Sequence, residues 1–327
     1  MDGPSRHRDQ RSEGRSLRKA RAGVMNNSTV EPGSHKPAAV KGMRIQKART
    51  QGFCFGVELT YKKALSETAE RADVYTMGNI VHNPLIVKEL DDKGLRNVDS
   101  LADIPEGTLF VRAHGLPPQT IQEAEEKGLR VVDATCPMVT RTQRLAKKLS
   151  EEGRSVVILG DPNHPEVKGI AGHAPGAIVM NEWPEDETEI RRARRIAIVS
   201  QSTLNGDKFR ELVGRIAAMN YEVRVYNTIC SDTQGRQKSA RELAREVDVM
   251  VVIGGAKSAN TRHLAELSEA EGAKAHLVEN PDELKREWFN GDESVGIATG
   301  ASTPGFLADD VIDKLLNWFP EAEAVWA

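Results

Sequence analysis

The chain has no long apolar run. Nothing in its 327 residues approaches the ~20 consecutive apolar positions of a membrane helix, so a membrane partner is excluded and a cytoplasmic location is the default expectation. Cysteine is scarce: there are three, at positions 54, 136 and 230. An odd count at wide spacing does not build a disulfide framework. None has a second cysteine nearby, which excludes a local C-x₂₋₄-C zinc site. There is no G-x-x-x-x-G-K-[ST] and no convincing G-x-G-x-x-G, so nucleotide binding has no support. A surplus of positive charge is also missing where it would matter. Residues 1–42 hold nine Lys/Arg, four Asp/Glu and no aromatic residue, and read as a disordered basic tail. The tail lacks the apolar core of a secretion signal, and its acidic residues count against an organelle transit peptide. The remaining 36 basic and 44 acidic residues give 36 − 44 = −8, which argues against nucleic acid as a partner.

What is present is a repeat. Each cysteine follows a short extended segment, at Met43–Lys47, Leu129–Asp133 and Val223–Tyr226. Each precedes a helical pattern, over 57–70, 139–152 and 236–247. A strand ending in glycine comes next, with Gly78, Gly160 and Gly254 each 24 residues after a cysteine. Four residues further stand His82, His164 and Ser258. Further strands at 108–112, 195–199 and 294–298 end in Ala113-His114-Gly115, Ser200-Gln201-Ser202-Thr203 and Thr299-Gly300-Ala301-Ser302-Thr303. Helices follow near 118–127, 206–218 and 306–317. Three glycines in register with three cysteines, within one order of elements, imply three homologous α/β units: 43–136, 137–229 and 230–327. Alternating strand and helix gives parallel sheets with right-handed crossovers. Such units bind ligands at the carboxyl ends of their strands. The fold expected is a trefoil of three α/β units related by a pseudo-threefold axis around a central cavity.

The residues brought to that cavity define its chemistry. Three thiolates related by a threefold axis suit a cubane iron–sulfur cluster with one iron lacking a protein thiolate. Buried structural thiols or a catalytic zinc are the alternatives from the cysteines alone. His82, His114 and His164 with Ser258, Asn260 and Ser302 make a donor-rich pocket of low charge, suited to phosphate or diphosphate. Gly254, Gly255 and Gly300 would let backbone N–H groups approach the anion. In Asn163-His164-Pro165-Glu166, the residue before proline is extended, so His164 and Glu166 should share a face as a proton-handling pair. Glu166 has no carboxylate counterpart in the other units, where Pro84 and Asn260 take its position.

The segments Gly52-Phe53-Cys54-Phe55-Gly56-Val57, Val81-His82-Asn83-Pro84, Ala113-His114-Gly115, Asp133-Ala134-Thr135-Cys136-Pro137, Asn163-His164-Pro165-Glu166-Val167, Ser200-Gln201-Ser202-Thr203-Leu204, Thr228-Ile229-Cys230 and Gly300-Ala301-Ser302-Thr303-Pro304 resemble, in order, the motifs of the LytB/IspH family. The resemblance spans roughly residues 43–318. It implies a 4-hydroxy-3-methylbut-2-enyl diphosphate reductase of the methylerythritol phosphate route, yielding isopentenyl and dimethylallyl diphosphate. It further implies one 4Fe–4S cluster held by Cys54, Cys136 and Cys230, with the substrate hydroxyl on the open iron. Glu166 is the implied proton donor. His82, His114, His164, Ser202, Ser258, Ala259, Asn260 and Ser302 are the implied substrate contacts, and a ferredoxin or flavodoxin type protein the implied electron donor. Ser202 stands where the family usually has threonine, Ala259 where it has Ser or Asn, and Gly305 where it has Asp. Cys230-Ser231-Asp232-Thr233-Gln234-Gly235-Arg236-Gln237 matches the usual Thr-Asn-Arg-Gln ending only loosely. Quinolinate synthase, another three-cysteine cluster protein, lacks the His-Pro-Glu register. A non-catalytic iron–sulfur sensor would call for a basic DNA-reading surface, which the acidic body lacks.

Overall fold

Proline opens four of the α-helices, and at three of them a polar residue precedes it. Asn83-Pro84, Cys136-Pro137 and His164-Pro165 each put proline at the first helical position, with the polar residue before it as N-cap. The residue before proline is held extended, and the ring's φ is already helical, so each pair forces a strand-end loop into a helix. The computed structural model describes residues 42–325. Apart from Gly42, the tail expected over 1–42 lies outside the described residues.

The observed elements run in three rounds. β1 (Arg44–Lys47) leads to Cys54 and α1 (Phe55–Glu70), followed by β2 (Val74–Met77), α2 (Pro84–Asp92), β3 (Leu95–Val98), β4 (Thr108–Val111), α3 (Pro118–Glu126) and β5 (Arg130–Asp133). After Cys136 come α4 (Pro137–Glu151), β6 (Ser155–Leu159), α5 (Pro165–Gly172), β7 (Ile178–Met180), α6 (Thr188–Arg192), β8 (Arg195–Ser200), α7 (Gly206–Met219) and β9 (Glu222–Val225). After Cys230 come α8 (Ser231–Ala244), β10 (Val249–Ile253), α9 (Ala259–Ala270), β11 (Lys274–Val278), β12 (Ser294–Thr299), α10 (Phe306–Trp318) and β13 (Glu323–Val325). The helix expected over 236–247 starts at Ser231 instead. Its first two turns bury Thr233 and Arg236 rather than apolar residues, so hydrophobic periodicity does not reveal them.

These strands form three all-parallel sheets, ordered β3-β2-β4-β5, β7-β6-β8-β9 and β11-β10-β12-β1-β13. The α/β trefoil is therefore the fold, with one change to the unit boundaries. β1, which opened the first unit in the sequence reading, lies in the third sheet. It pairs with β12 in the register Arg44↔Ser294. The reason is connectivity. β5 and β9 each pair with the strand preceding them in the chain, whereas β1 has no earlier strand among the described residues and fills the matching slot of the last sheet. β13 then covers the outer edge of β1, which protects its unpaired backbone groups.

Helices cover both faces of each sheet, as parallel sheets require. Two apolar clusters per sheet result, for example Val157, Leu159, Ile196 and Ile198 on one face of the second sheet and Val156, Ile158, Ala197 and Val199 on the other. Central strands are consequently apolar throughout, and all five residues of β10 are buried. Each fully buried Val, Leu or Ile contributes roughly 1.5–3 kcal/mol.

Candidate functional site

Each cysteine is the N-cap of the helix that follows it: Cys54 of α1, Cys136 of α4 and Cys230 of α8. Their backbone N–H groups repeat one contact, donating to the carbonyls of Ala301 (3.0 Å), Ala113 (3.0 Å) and Ser202 (2.9 Å). Each contact ties a cysteine to the loop that follows the neighbouring strand in the same sheet. All three thiols line one cavity. At Gly56 a Cβ would lie 2.5 Å from the Cys136 sulfur, so glycine is what lets α1 come against the second thiol. Burial pushes the Cys54 thiol up to about 11, and it raises Cys136 as well. The N-terminal ends of three helices oppose this by favouring negative charge on sulfur.

The remaining expected residues meet in the same cavity: His82, His114, His164, Glu166, Ser202, Ser258, Ala259, Asn260 and Ser302 all line it. The three imidazoles form a triangle with ring centroids 5.2, 5.2 and 5.8 Å apart. Desolvation lowers all three pKa values, His164 to about 4 and His114 well below the usual imidazole value. They are neutral near pH 7. His164 Nδ1 accepts the Glu166 N–H at 3.2 Å, which leaves its neutral-form proton on Nε2 as a donor. Buried polar atoms are nearly always paired. Here His82 Nε2, His114 Nδ1 and both amide atoms of Asn260 are buried without a partner among the described residues. Ser258 is the N-cap of α9 and Ala259 its first residue, so the Ala259 N–H has no intrahelical acceptor and remains available despite the missing side-chain donor.

Glu166 is 2% exposed. Its Oε1 accepts the Ser202 N–H at 2.6 Å, and its Oε2 accepts the Ser202 hydroxyl at 2.7 Å. Burial raises its pKa, with the two Ser202 bonds opposing. The serine hydroxyl is thus bonded to the carboxyl and lines the cavity with it, where the family has threonine.

Three sequence expectations change. His164 and Glu166 are not two residues of one extended segment. The chain turns helical at Pro165, and Glu166 is the second residue of α5. The register also slips by one in the first unit, where Asn83 rather than His82 is the N-cap. The structural counterparts of Glu166 are therefore Leu85 and Asn260, not Pro84 and Asn260. Lastly, the glycines do not open the backbone to an anion. A Cβ on Gly255 would lie 1.9 Å from the His82 carbonyl oxygen, and one on Gly300 would lie 2.3 Å from Thr261 Oγ1. The N–H groups of Gly254 and Gly300 donate to Val278 and Ile253. Gly255 permits close packing of the third unit against the first, and Gly254 and Gly300 permit close packing against Thr261 and Thr303 within the third unit.

Several site residues went unnoticed in the sequence. Asp232 lines the cavity as a second carboxylate, but Arg236 Nε donates to it at 2.7 Å. Arg112, Lys257 and Arg262 each act on the His82 imidazole as positive charges, and desolvation lowers Arg112 to about 10. Their positions beside Ala113-His114 and Ser258 were the available signal. Thr203, already visible in the Ser200-Gln201-Ser202-Thr203 strand end, also lines the cavity. A larger cleft of about 610 Å³ adjoins the site between α2 and the Gly255–Lys257 loop, sharing His82 but none of the cysteines.

Comparison with known proteins bears on this arrangement. The family model described as "LytB protein" matches residues 45–316. A relative from Anaeromyxobacter sp. (strain Fw109-5) is 43% identical, covering 82% of this chain and 95% of its own. One from Geobacter metallireducens is 39% identical, covering 84% and 97%. Both bear the name 4-hydroxy-3-methylbut-2-enyl diphosphate reductase. A solved structure of (E)-4-hydroxy-3-methyl-but-2-enyl diphosphate reductase, described as the terminal enzyme of the non-mevalonate pathway, is 40% identical with a TM-score of 0.64, covering 84% of this chain and 99% of that one. The structure of the Plasmodium falciparum E-1-hydroxy-2-methyl-but-2-enyl-4-diphosphate reductase matches at 23% identity and a TM-score of 0.78, which speaks to the fold alone. No helix of the described residues is long and apolar enough to cross a membrane.

Proposed function

This chain belongs to the LytB family, and from that premise we propose that it reduces 4-hydroxy-3-methylbut-2-enyl diphosphate to isopentenyl and dimethylallyl diphosphate in the cytoplasm. One observation carries the reading. Three thiols at helix N-termini, an anion-suited set of unpartnered donors and one buried carboxyl share a single cavity built by all three units.

Cys54, Cys136 and Cys230 would hold a 4Fe–4S cluster. The donor set fits: three thiols converge, helix N-termini favour their thiolate forms, and glycine at 56 clears the space beside Cys136. When bound, such a cluster supplies electrons one at a time and one iron without a protein thiolate as a Lewis acid.

The protein's own groups do the rest. His82, His114, His164 Nε2, Ser258, Asn260, Ser302 and the Ala259 N–H bind the diphosphate, within the positive field of Arg112, Lys257 and Arg262. That end is fixed, so the allylic hydroxyl reaches towards Glu166 and Ser202. Glu166, its pKa raised by burial, holds a proton and passes it through the Ser202 hydroxyl to the departing oxygen. The balance is two electrons and two protons in: the C–O bond breaks, water leaves, and the allyl fragment is protonated at either end. The electrons come from a ferredoxin or flavodoxin type protein.

Anaerobic Mössbauer spectroscopy with and without the hydroxylated diphosphate tests this reading. A distinct iron whose signal moves on substrate addition is expected, together with substrate consumption on chemical reduction. Zinc in place of iron, or no consumption by iron-replete protein, would overturn it.

A further inference from the structure

The helices that start at the cysteines also define the molecular surface nearest to them. Their first residues, Phe55, Pro137 and Ser231, are all exposed, and the thiols just before them are only partly buried. Phe55 is 71% exposed and Leu59, one turn along α1, is 40% exposed. A large aromatic ring left in water one residue from a thiol stabilises nothing in the isolated chain. Lys63 of α1 donates to the Asp133 carbonyl at 2.7 Å and Thr60 to that of Ala134 at 2.8 Å, so α1 lies along the segment leading into α4.

α4 continues this surface with charge. Pro137, Arg141, Arg144 and Lys148 are exposed at spacings of four, three and four, which places them in one stripe of the helix. Lys147 flanks them. Arg141 and Arg144 make no hydrogen bond or ion pair among the described residues. Lys147 and Lys148 have only loose pairings, at 3.9 and 4.0 Å, to Glu151 and Glu152. This basic stripe stands on a body whose residues beyond 42 carry a formal charge of −8, from 36 basic and 44 acidic groups. Exposed aromatic and arginine side chains are the types that anchor interfaces. Unpaired charge of one sign beside them steers a partner of the opposite sign.

We infer that the exposed face formed by the first turn of α1 and the Arg141–Arg144–Lys148 stripe of α4 is the docking surface for a small acidic protein carrying a one-electron centre. The inference rests on the iron–sulfur reading above and names where its electrons enter. Electron transfer falls off steeply with distance, so the donor must dock close to the thiols, and α1 and α4 each begin at one of them. A transient redox encounter needs only a small contact, below about 1,200 Å², which an aromatic anchor and a few cations supply.

The test compares charge reversal of Arg141→Glu with Arg144→Glu against a control pair, Arg192→Glu with Arg194→Glu, at exposed positions before β8. Full-length, iron-replete protein is titrated with an oxidised acidic ferredoxin by calorimetry at two salt concentrations. It is then assayed with the reduced ferredoxin and, separately, with reduced methyl viologen. The 141/144 pair is expected to raise the ferredoxin Kd and its KM by at least about tenfold and to flatten their salt dependence. Iron content and viologen-driven turnover should stay at wild-type values, and the control pair should change nothing. Ferredoxin Kd and KM within twofold of wild type in the 141/144 pair would overturn the surface while leaving the enzyme reading intact. A wild-type protein that binds iron but shows no viologen-driven consumption of substrate would overturn both.

Discussion

Glu166 is the one carboxyl lining the cavity that is not neutralised by a cation, because Asp232 is held by Arg236. Its environment is apolar enough to raise its pKa, and its only named partner is Ser202. The protonated fraction therefore persists above the ordinary carboxyl range and falls as pH rises through the raised value. Turnover should decline on the alkaline side for that reason. Replacing Glu166 with Gln leaves a neutral group of the same shape at every pH. We expect iron content and substrate binding to be kept, turnover to drop ~10²–10⁴-fold, and the alkaline limb to vanish from the rate profile. Wild-type turnover in Glu166→Gln, measured anaerobically, would remove the proton-donor role. The imidazoles have the opposite tendency. Desolvation holds them neutral, so they approach a diphosphate as hydrogen-bond donors rather than as cations.

Among elements, the cysteine helices do more than present thiols. The position six residues after each cysteine is Thr60, Thr142 or Arg236. Thr60 donates to the carbonyl of Ala134, two residues before Cys136. Arg236 Nη2 donates at 2.7 Å to the carbonyl of Gly52, two residues before Cys54. α1 and α8 thus each latch the loop that carries another thiol. Thr142 bonds only within α4, to Met138, and the Cys230 loop is held instead by Thr228 against Ser200. Arg236 is 2% exposed and also donates to the Thr299 carbonyl at 3.1 Å. Replacing it with Met leaves those carbonyls without a donor and Asp232 without its cation, a loss of about 3 kcal/mol or more. Thr60→Val removes one hydroxyl proton, shared between the Gly56 and Ala134 carbonyls, and should cost about 1 kcal/mol. Urea unfolding of the two variants measures the difference, and equal midpoints would refute the latch. The loose match around Cys230 falls here: the Gly235-Arg236-Gln237 stretch keeps the residue that the latch requires. At α10 the other departure has a visible result. Gly305 is its N-cap and offers no side chain to the helix start.

For the whole molecule, the ring of units is closed by β1, the first strand of the described residues. β1 supplies to the third sheet what β5 and β9 supply to the other two, and it lies between β12 and β13. A chain beginning after Lys47 would expose the facing edges of β12 and β13 and free the Cys54 loop, whose N–H is tied to Ala301. Such a truncation should abolish the cooperative thermal transition and promote association, as followed by circular dichroism and light scattering. A cooperative melt at the full-length temperature would show that the third unit closes without β1.

Sequence alone was enough for the three rounds of strand and helix, the three thiols and the histidine–glutamate corner. Those features are local or periodic. Proline sets a helix start next to itself, apolar runs mark buried parallel strands, and a repeat is visible wherever spacing is kept. The tertiary structure decided what depends on contacts between distant segments. It moved β1 into the third sheet, because strand pairing follows available edges rather than chain order. It matched Glu166 to Leu85, because a one-residue slip in a loop leaves the spacing of the cysteines unchanged. It gave the glycines to close packing, because only folding brings the His82 carbonyl and Thr261 against them. It paired Asp232 with Arg236 and thereby left Glu166 as the carboxyl free to handle a proton, since which charges are neutralised depends on which side chains folding makes neighbours.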